Sequence, residues 1–302
     1  MKKLIIAGAN GFLARYLTRY FAERGWDVVG LARHREGMDP QCRYVHWDGA
    51  SLGDWAEEID GADVLVNLAG RSVNCRYNEA NKRAIIDSRV NSTRVIGEAI
   101  ANCAQPPELW INSSTATIYR HAEDRPQSDS GEIGQGFSVE VAKAWEEAFF
   151  SAHVPGRVRK LAIRTSMVLA DEPGTVYRYL YQLARFGLGG KVGCGRQMVS
   201  WIHIHDFCRA IDWLIEHDEI SGPVNVTSPD PLCNAELMRR FRRHSGTAIG
   251  LPATKWMAEI GAFLLRTETE LILKSRWVVP TRLLEHGFVF KHPEMEPWNW
   301  QK

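Results

Sequence analysis

The chain has 302 residues, enough for one large α/β domain and a smaller second one around a sizeable core. Its hydrophobic fraction of 45% and charged fraction of 24% are those of an ordinary globular protein. A net charge of +1 lacks the basic bias of nucleic-acid binders.

From the first residues to about 115, short apolar runs alternate with helical patterns, as in a parallel sheet wrapped by helices. Strands are predicted at Lys3–Ala7, Asp27–Ala32, Tyr44–Trp47, Val64–Asn67, Leu109–Ser113 and Arg159–Arg164. Helices are predicted between them at Leu13–Glu23, Leu52–Ile59, Glu79–Cys103 and Glu140–Phe150. A later helix over Asp206–His217 and strand over Val224–Thr227 return to the sheet. The apolar run Leu4–Ala9 behind Lys2-Lys3 is too short for a signal peptide, and no window has the roughly 20 apolar residues of a membrane span. Six scattered cysteines without CxxC pairing suit a reducing compartment. The expectation is a soluble, cytoplasmic protein with no membrane and no nucleic-acid partner.

The fold class expected is α/β, a Rossmann-like doubly wound parallel sheet with a smaller, interleaved C-terminal substrate lobe. The sheet domain takes residues 1–170, completed by about 206–227. The lobe takes 171–205, where glycines cluster from Gly187 to Gly195, and 228–302, with helices at Asn234–His244 and Thr254–Arg266.

Gly8-Ala9-Asn10-Gly11-Phe12-Leu13-Ala14 joins the first strand to the first helix. Such a turn sets backbone N–H groups and a helix N-terminus against a pyrophosphate. Gly8 permits the turn, Gly11 the close approach, and Ala14 the helix–strand packing. NAD enzymes of this architecture place an acid about 20 residues on, at the end of the second strand, for the ribose 2′-OH. Here that strand runs into Arg33-His34-Arg35. A guanidinium matches a 2′-phosphate in charge and fork geometry, so the cofactor expected is NADP(H); a solvated basic loop is the competing reading of Arg33. Asn67-Leu68-Ala69-Gly70 would line the adenosine and ribose.

These motifs, with Ser113–Tyr119 and Trp201-Ile202-His203-Ile204-His205-Asp206, resemble the extended short-chain dehydrogenase/reductase superfamily. More narrowly, the chain resembles its atypical epimerase-like branch, labelled NAD-dependent epimerase/dehydratase. The stretch Arg76–Thr93, the Trp145-Glu146 pair and the tail Pro280–Phe290 resemble that branch and its small C-terminal domain of unknown function. The resemblance implies that Thr115 is the catalytic Ser/Thr position, orienting a substrate oxygen. It also implies a Tyr-x-x-x-Lys pair, whose lysine lowers the tyrosine pKa. The matching positions are Ser138 and Ala142, so the pair is missing, and Lys143 faces roughly 100° away. Nucleotide-sugar enzymes of the superfamily hold the substrate diphosphate with an arginine where Val199 stands.

Tyr119 is weighed as a displaced acid against simple packing. Arg76 and Lys82 are weighed as contacts to an anionic small-molecule substrate against a solvated helix face. Arg164 is read as a substrate contact or a structural ion pair. His203 and His205 alternate on one strand and so face opposite ways; His203 lines the cleft, and Asp206 is the N-cap of the following helix. No third ligand has suitable spacing, so no metal is expected. Superfamily dimers pair the helices matched here by Glu79–Cys103 and Glu140–Phe150, which implies a homodimer. The resulting expectation is an NADP(H)-binding oxidoreductase-like protein acting on a small carbonyl or alcohol. The alternatives are a non-catalytic NADP(H)-dependent regulatory module and a nucleotide-sugar epimerase.

Overall fold

Alternation of short apolar runs with amphipathic ones resolves into β1 (Lys3–Ala7), α1 (Phe12–Ala22), β2 (Asp27–Ala32), β3 (Arg43–His46), β4 (Val64–Asn67), α2 (Glu79–Asn102), β5 (Leu109–Thr115), α3 (Phe137–Phe150) and β6 (Arg159–Thr165). The structure, a computed structural model, describes residues 1–253, 274–296 and 298. The helix expected over Thr254–Arg266 lies outside them. The run expected as a helix from Leu52 is a 3₁₀ turn over Asp54–Ile59. Gly53 interrupts it and leaves six residues, too few for a stable α-helix on their own. No helix among the described residues is long and apolar enough to cross a membrane.

Further along come β7 (Met167–Leu169), α4 (Val176–Arg185), β8 (Met198–Val199), β9 (Trp201–His203), α5 (Ile204–Glu216), β10 (Gly222–Val226), β11 (Leu232–Cys233), α6 (Asn234–Ser245) and α7 (Thr281–Glu285). The pattern reading did not foresee α4, whose N-cap Thr175 accepts a hydrogen bond from Arg178 N.

Seven strands form one sheet in the order β10-β6-β5-β4-β1-β2-β3, and every pair in it is parallel. Parallel strands are buried on both faces by their crossover helices, and β1 and β4 are apolar to match. Leu17 and Phe21 of α1 and Phe207 and Ile211 of α5 cover one face. Val95 and Ile96 of α2 and Phe149 of α3 cover the other, against Trp110. A separate core outside the sheet gathers Tyr177, Trp201, Leu237 and Phe241. The tail divides: Leu283, Phe288 and Phe290 pack into the α1/α5 core, although the pattern reading gave all of 228–302 to the smaller lobe. Burying these three apolar side chains is what draws that segment back under the sheet.

One buried ionic network crosses the layers. Arg164 of β6 donates from Nε and Nη2 to the two carboxylate oxygens of Glu146 in α3, both at 2.8 Å. Its Nη1 reaches Tyr119 Oη at 2.9 Å and Asp129 O at 3.1 Å, while Ser114 Oγ donates to Glu146 at 2.6 Å. Arg164 and Glu146 are only 7% and 9% exposed, and every donor edge of the guanidinium is spent inside the protein. Arg164 is therefore a structural ion pair, which removes it from the substrate contacts.

Breaking a buried pair by removing one partner strands the other charge in low dielectric, at a cost of roughly 3–5 kcal/mol. Arg164→Leu should lower the urea unfolding midpoint by a corresponding amount with an unchanged slope. A midpoint equal to wild type would remove this pair from the stability of the fold.

Candidate functional site

At β1 the direction of winding reverses: β2 pairs on one side and β4 on the other. Open α/β sheets place ligands outside the carboxyl ends of strands at such a switch point. A cleft of about 610 Å³ opens there, lined by Gly8, Asn10, Gly11, Arg33, Leu68, Ala69 and Gly70 among others.

Gly8 has φ +81°, and a Cβ on it would lie 3.0 Å from the backbone of Ala69. Only glycine combines that conformation with that approach. Gly8 N and Ala9 N both donate to Leu31 O, which ties the turn to the end of β2. Gly11 caps α1 without a side-chain hydrogen bond, and no acid occupies the first helical turn. The first helical N–H groups, those of Phe12 and Leu13 included, have no intrahelical acceptor, and Gly11 just before them lines the cleft. A pyrophosphate fits these donors in charge and geometry. Arg33 is exposed on the cleft rim, and no carboxylate pairs with it among the described residues.

Asn67 is wholly buried and does not line the cleft. Its Nδ2 donates to Asn112 Oδ1 at 2.7 Å and to Thr93 Oγ1 at 3.2 Å, and its Oδ1 accepts from Ala69 N at 3.0 Å. Trp145 Nε1 of α3 donates to the same Thr93 hydroxyl at 3.0 Å. Asn67 thus shapes the Leu68–Gly70 wall from beneath.

Sequence reading missed Trp47, Asp48, Arg71 and Ser88, which also line the cleft. Asp48 accepts from Ala50 N at 2.8 Å and Ser51 N at 2.9 Å, and these backbone bonds hold its carboxyl below the usual range. The Asp-Gly pair Asp48-Gly49, with Gly49 at φ +85°, is the turn signal that marks it.

The expected catalytic positions have other occupations. Thr115 Oγ1 donates to Thr117 Oγ1 at 3.1 Å and accepts from Thr117 N at 3.2 Å, capping a 3₁₀ turn while staying half-buried at the end of β5. Tyr119 is fully buried, donating to Asn225 Oδ1 at 2.8 Å. Burial pushes its pKa up to about 12, against the pull of Arg164. Packing is its role, and it does not reach the cleft as an acid. Ala142 is sealed among Ala116, Ile118, Tyr119 and Val278. Ser138 Oγ is buried with no hydrogen-bond partner, and Lys143 is exposed. Arg76 is exposed; Lys82 pairs with Glu79 at 3.0 Å and lies over the Phe137 ring.

His203 ends β9 and its Nδ1 accepts from His205 N at 3.2 Å, making it the N-cap of α5. Asp206, expected in that role, sits within the first turn. There it accepts from Lys291 N at 2.9 Å and His292 N at 2.6 Å, fastening the tail to α5. The chain turns from strand to helix between His203 and His205, so their rings do not face apart but lie 4.9 Å from each other. His292 supplies the third imidazole that spacing did not reveal, and the nitrogens of all three lie within 4.8 Å. Burial lowers all three pKa values, that of His203 to about 2. Yet the His203 Nδ1 lone pair is spent on the cap, which leaves its ring proton on Nε2. In this arrangement His203 offers a metal no free lone pair.

The chain belongs to the NAD dependent epimerase/dehydratase family, whose model matches residues 4–227. Residues 253–297 match a domain of unknown function, DUF1731. The chain is 31% identical to the epimerase family protein ML0860 of Mycobacterium leprae over 95% of this chain and 91% of that one. It is 29% identical to the epimerase family protein YfhF of Bacillus subtilis over 97% and 95% of the two chains. The crystal structure of human epimerase family protein SDR39U1 with NADPH superposes with a TM-score of 0.83 at 26% identity, covering 97% of this chain and 96% of that one.

His203 is neutral when folded and titrates near 6.5 when unfolded. Below that value the unfolded chain takes up a proton that the folded chain refuses. This stability is complete above pH 6.5 and is lost as pH falls, by about 2 kcal/mol at pH 5 for this residue. Asn keeps an N-cap acceptor without titrating, so His203→Asn should flatten the pH 7-to-5 dependence of unfolding free energy. An unchanged slope would assign the acid sensitivity to other groups.

Proposed function

We propose that this chain binds NADP(H) in the switch-point cleft and moves a hydride between it and a small carbonyl or alcohol carbon. The observation that carries the reading is the pairing of a donor-rich glycine turn with Arg33 on a rim that has no carboxylate at the end of β2. The turn's N–H groups take the pyrophosphate. The Arg33 fork takes the 2′-phosphate, where an acid would select NAD. The NADPH bound by human SDR39U1, similar over nearly its whole length, supports the same cofactor here.

NADP(H) supplies the hydride at nicotinamide C4; the chain supplies position. Gly70 follows β4 by three residues and Thr115 ends β5, its neighbour in the sheet, so both stand at the same carboxyl edge as the glycine turn. A substrate oxygen would meet the half-buried Thr115 hydroxyl there. No Tyr/Lys pair supports proton transfer, because Ser138 and Ala142 occupy those positions. The sealing of Ala142 also favours a second reading, a protein that binds NADP(H) and signals its presence without turnover. Nucleotide-sugar epimerisation has less support: Val199 of β8 is paired with Leu232 and supplies no cation for a diphosphate.

Arg33→Glu should weaken NADPH binding by about tenfold or more while sparing NADH, since one charge-assisted pair is lost and a repulsion gained. Equal loss for both cofactors would refute the phosphate assignment. NADPH oxidation across a panel of small aldehydes and ketones separates the two readings: turnover supports the oxidoreductase, and tight binding without turnover supports the sensor.

A further inference from the structure

The cation missing from α3 has a counterpart on α2. Arg89 points from α2 toward α3, its Cζ 4.9 Å from the Trp145 ring centroid, one helical turn beyond Ala142. It packs on the bare Cα of Gly70, where a Cβ would come within 3.1 Å of Cζ and 3.4 Å of Nε. The glycine that ends the β4 turn therefore makes room for this guanidinium. Its Nη1 donates to Arg71 O and Ile85 O, each at 3.0 Å.

What Arg89 lacks is a counter-ion. Among the described residues no carboxylate lies within ion-pair distance of it, and nothing accepts from Nε or Nη2. Arg164 and Arg159, by contrast, each have carbonyl or carboxylate acceptors on at least two nitrogens. Burial depresses the Arg89 pKa to about 10, with only Tyr77 acting to restore it. The surroundings add to the imbalance: residues 71–89 carry five basic and two acidic side chains. An uncompensated, half-buried guanidinium is costly to keep unless an anion completes it.

We propose that Arg89 is the anion-recognition residue of the substrate site and that the substrate is a small carboxylic acid. With Nη1 spent on two carbonyls, Nε and Nη2 remain as one edge of parallel donors. That edge matches the two oxygens of a carboxylate side-on, and the Trp145 face beneath it holds the fork in place. A carboxylate bound there lies beside Gly70, at the sheet edge that also bears Thr115. The substrate would then be an oxo or hydroxy acid, its carboxylate on Arg89 and its reacting oxygen toward Thr115. The assignment of Arg76 and Lys82 as the anion contacts gives way to Arg89, because Lys82 is already paired with Glu79. This inference rests on the NADP(H) oxidoreductase reading for the reaction, but not for the anion site.

Calorimetric titration of the NADPH-loaded protein with benzoate, 2-oxoglutarate, inorganic phosphate and neutral methyl benzoate tests it. The carboxylates should bind, methyl benzoate should not, and Arg89→Gln should weaken the carboxylates by about tenfold or more with NADPH affinity unchanged. Phosphate binding in place of the carboxylates would overturn the carboxylate assignment. No carboxylate binding, or equal affinity in wild type and Arg89→Gln, would overturn the site. Should Arg89→Gln fail to fold, Arg89→Lys keeps the charge but not the fork and should weaken carboxylates several-fold; unchanged affinity there overturns the fork geometry. Failure of the oxidoreductase reading has a different signature: carboxylates bind in an Arg89-dependent way, but 2-oxo acids never oxidise NADPH.

Discussion

The buried amide pair Asn67–Asn112 is the interaction on which the site depends. It joins the last residue of β4 to the middle of β5, where the β4 side of the sheet stops and its chain turns to line the ligand cleft. Thr93 of α2 and Trp145 of α3 are bonded into the same network, so two strands and two helices share one set of polar contacts. Buried amides are tolerated only when their hydrogen bonds are made. Here satisfying them also holds Ala69 N, and with it the backbone against which Gly8 must pack. The glycine turn and the Leu68–Gly70 wall are two sides of one contact, in which neither could shift alone.

From that contact the chemistry spreads in two directions. Toward β2 and β3 the cleft carries the features of a dinucleotide site: free helix N–H groups, Arg33 on the rim and the Asp48 turn. Toward α3 it meets side chains that depart from the superfamily pattern. Ser138 and Ala142 stand where the resemblance places the Tyr/Lys pair, Thr115 caps its own turn, and Tyr119 is spent on the network with Arg164 and Glu146. The positive charge on this side comes from α2 instead, through Arg89. The glycine turn and the Arg89 guanidinium are thus held by different elements, and a common fold accommodates divergent functions by varying such sites separately.

The tail performs a structural task that its sequence conceals. Asp206 accepts two backbone N–H groups from Lys291 and His292, and Phe288 and Phe290 enter the core under the sheet. The histidine cluster at this junction follows from the same docking. The tail brings His292 to His203 and His205, burial lowers the pKa of each ring, and His203 caps α5.

Sequence alone determined the parallel sheet, its strand runs and the glycine turn, because these are local: apolar runs, helix periodicity and positive-φ glycines are encoded over a few adjacent residues. That Ser138 and Ala142 stand at the Tyr/Lys positions rests on the resemblance to the superfamily and not on a local pattern. Residues whose meaning depends on a distant partner were decided only by the tertiary structure. Arg164 became an ion pair because Glu146 is across the layer, and Asn67 a wall support because Asn112 is beside it. His203 and His205 came together because a helix begins between them and the tail brings His292. Arg89 stood in a helical run like any solvated arginine; only folding shows that Gly70 makes room for it, that Trp145 lies under it, and that no described carboxylate faces it.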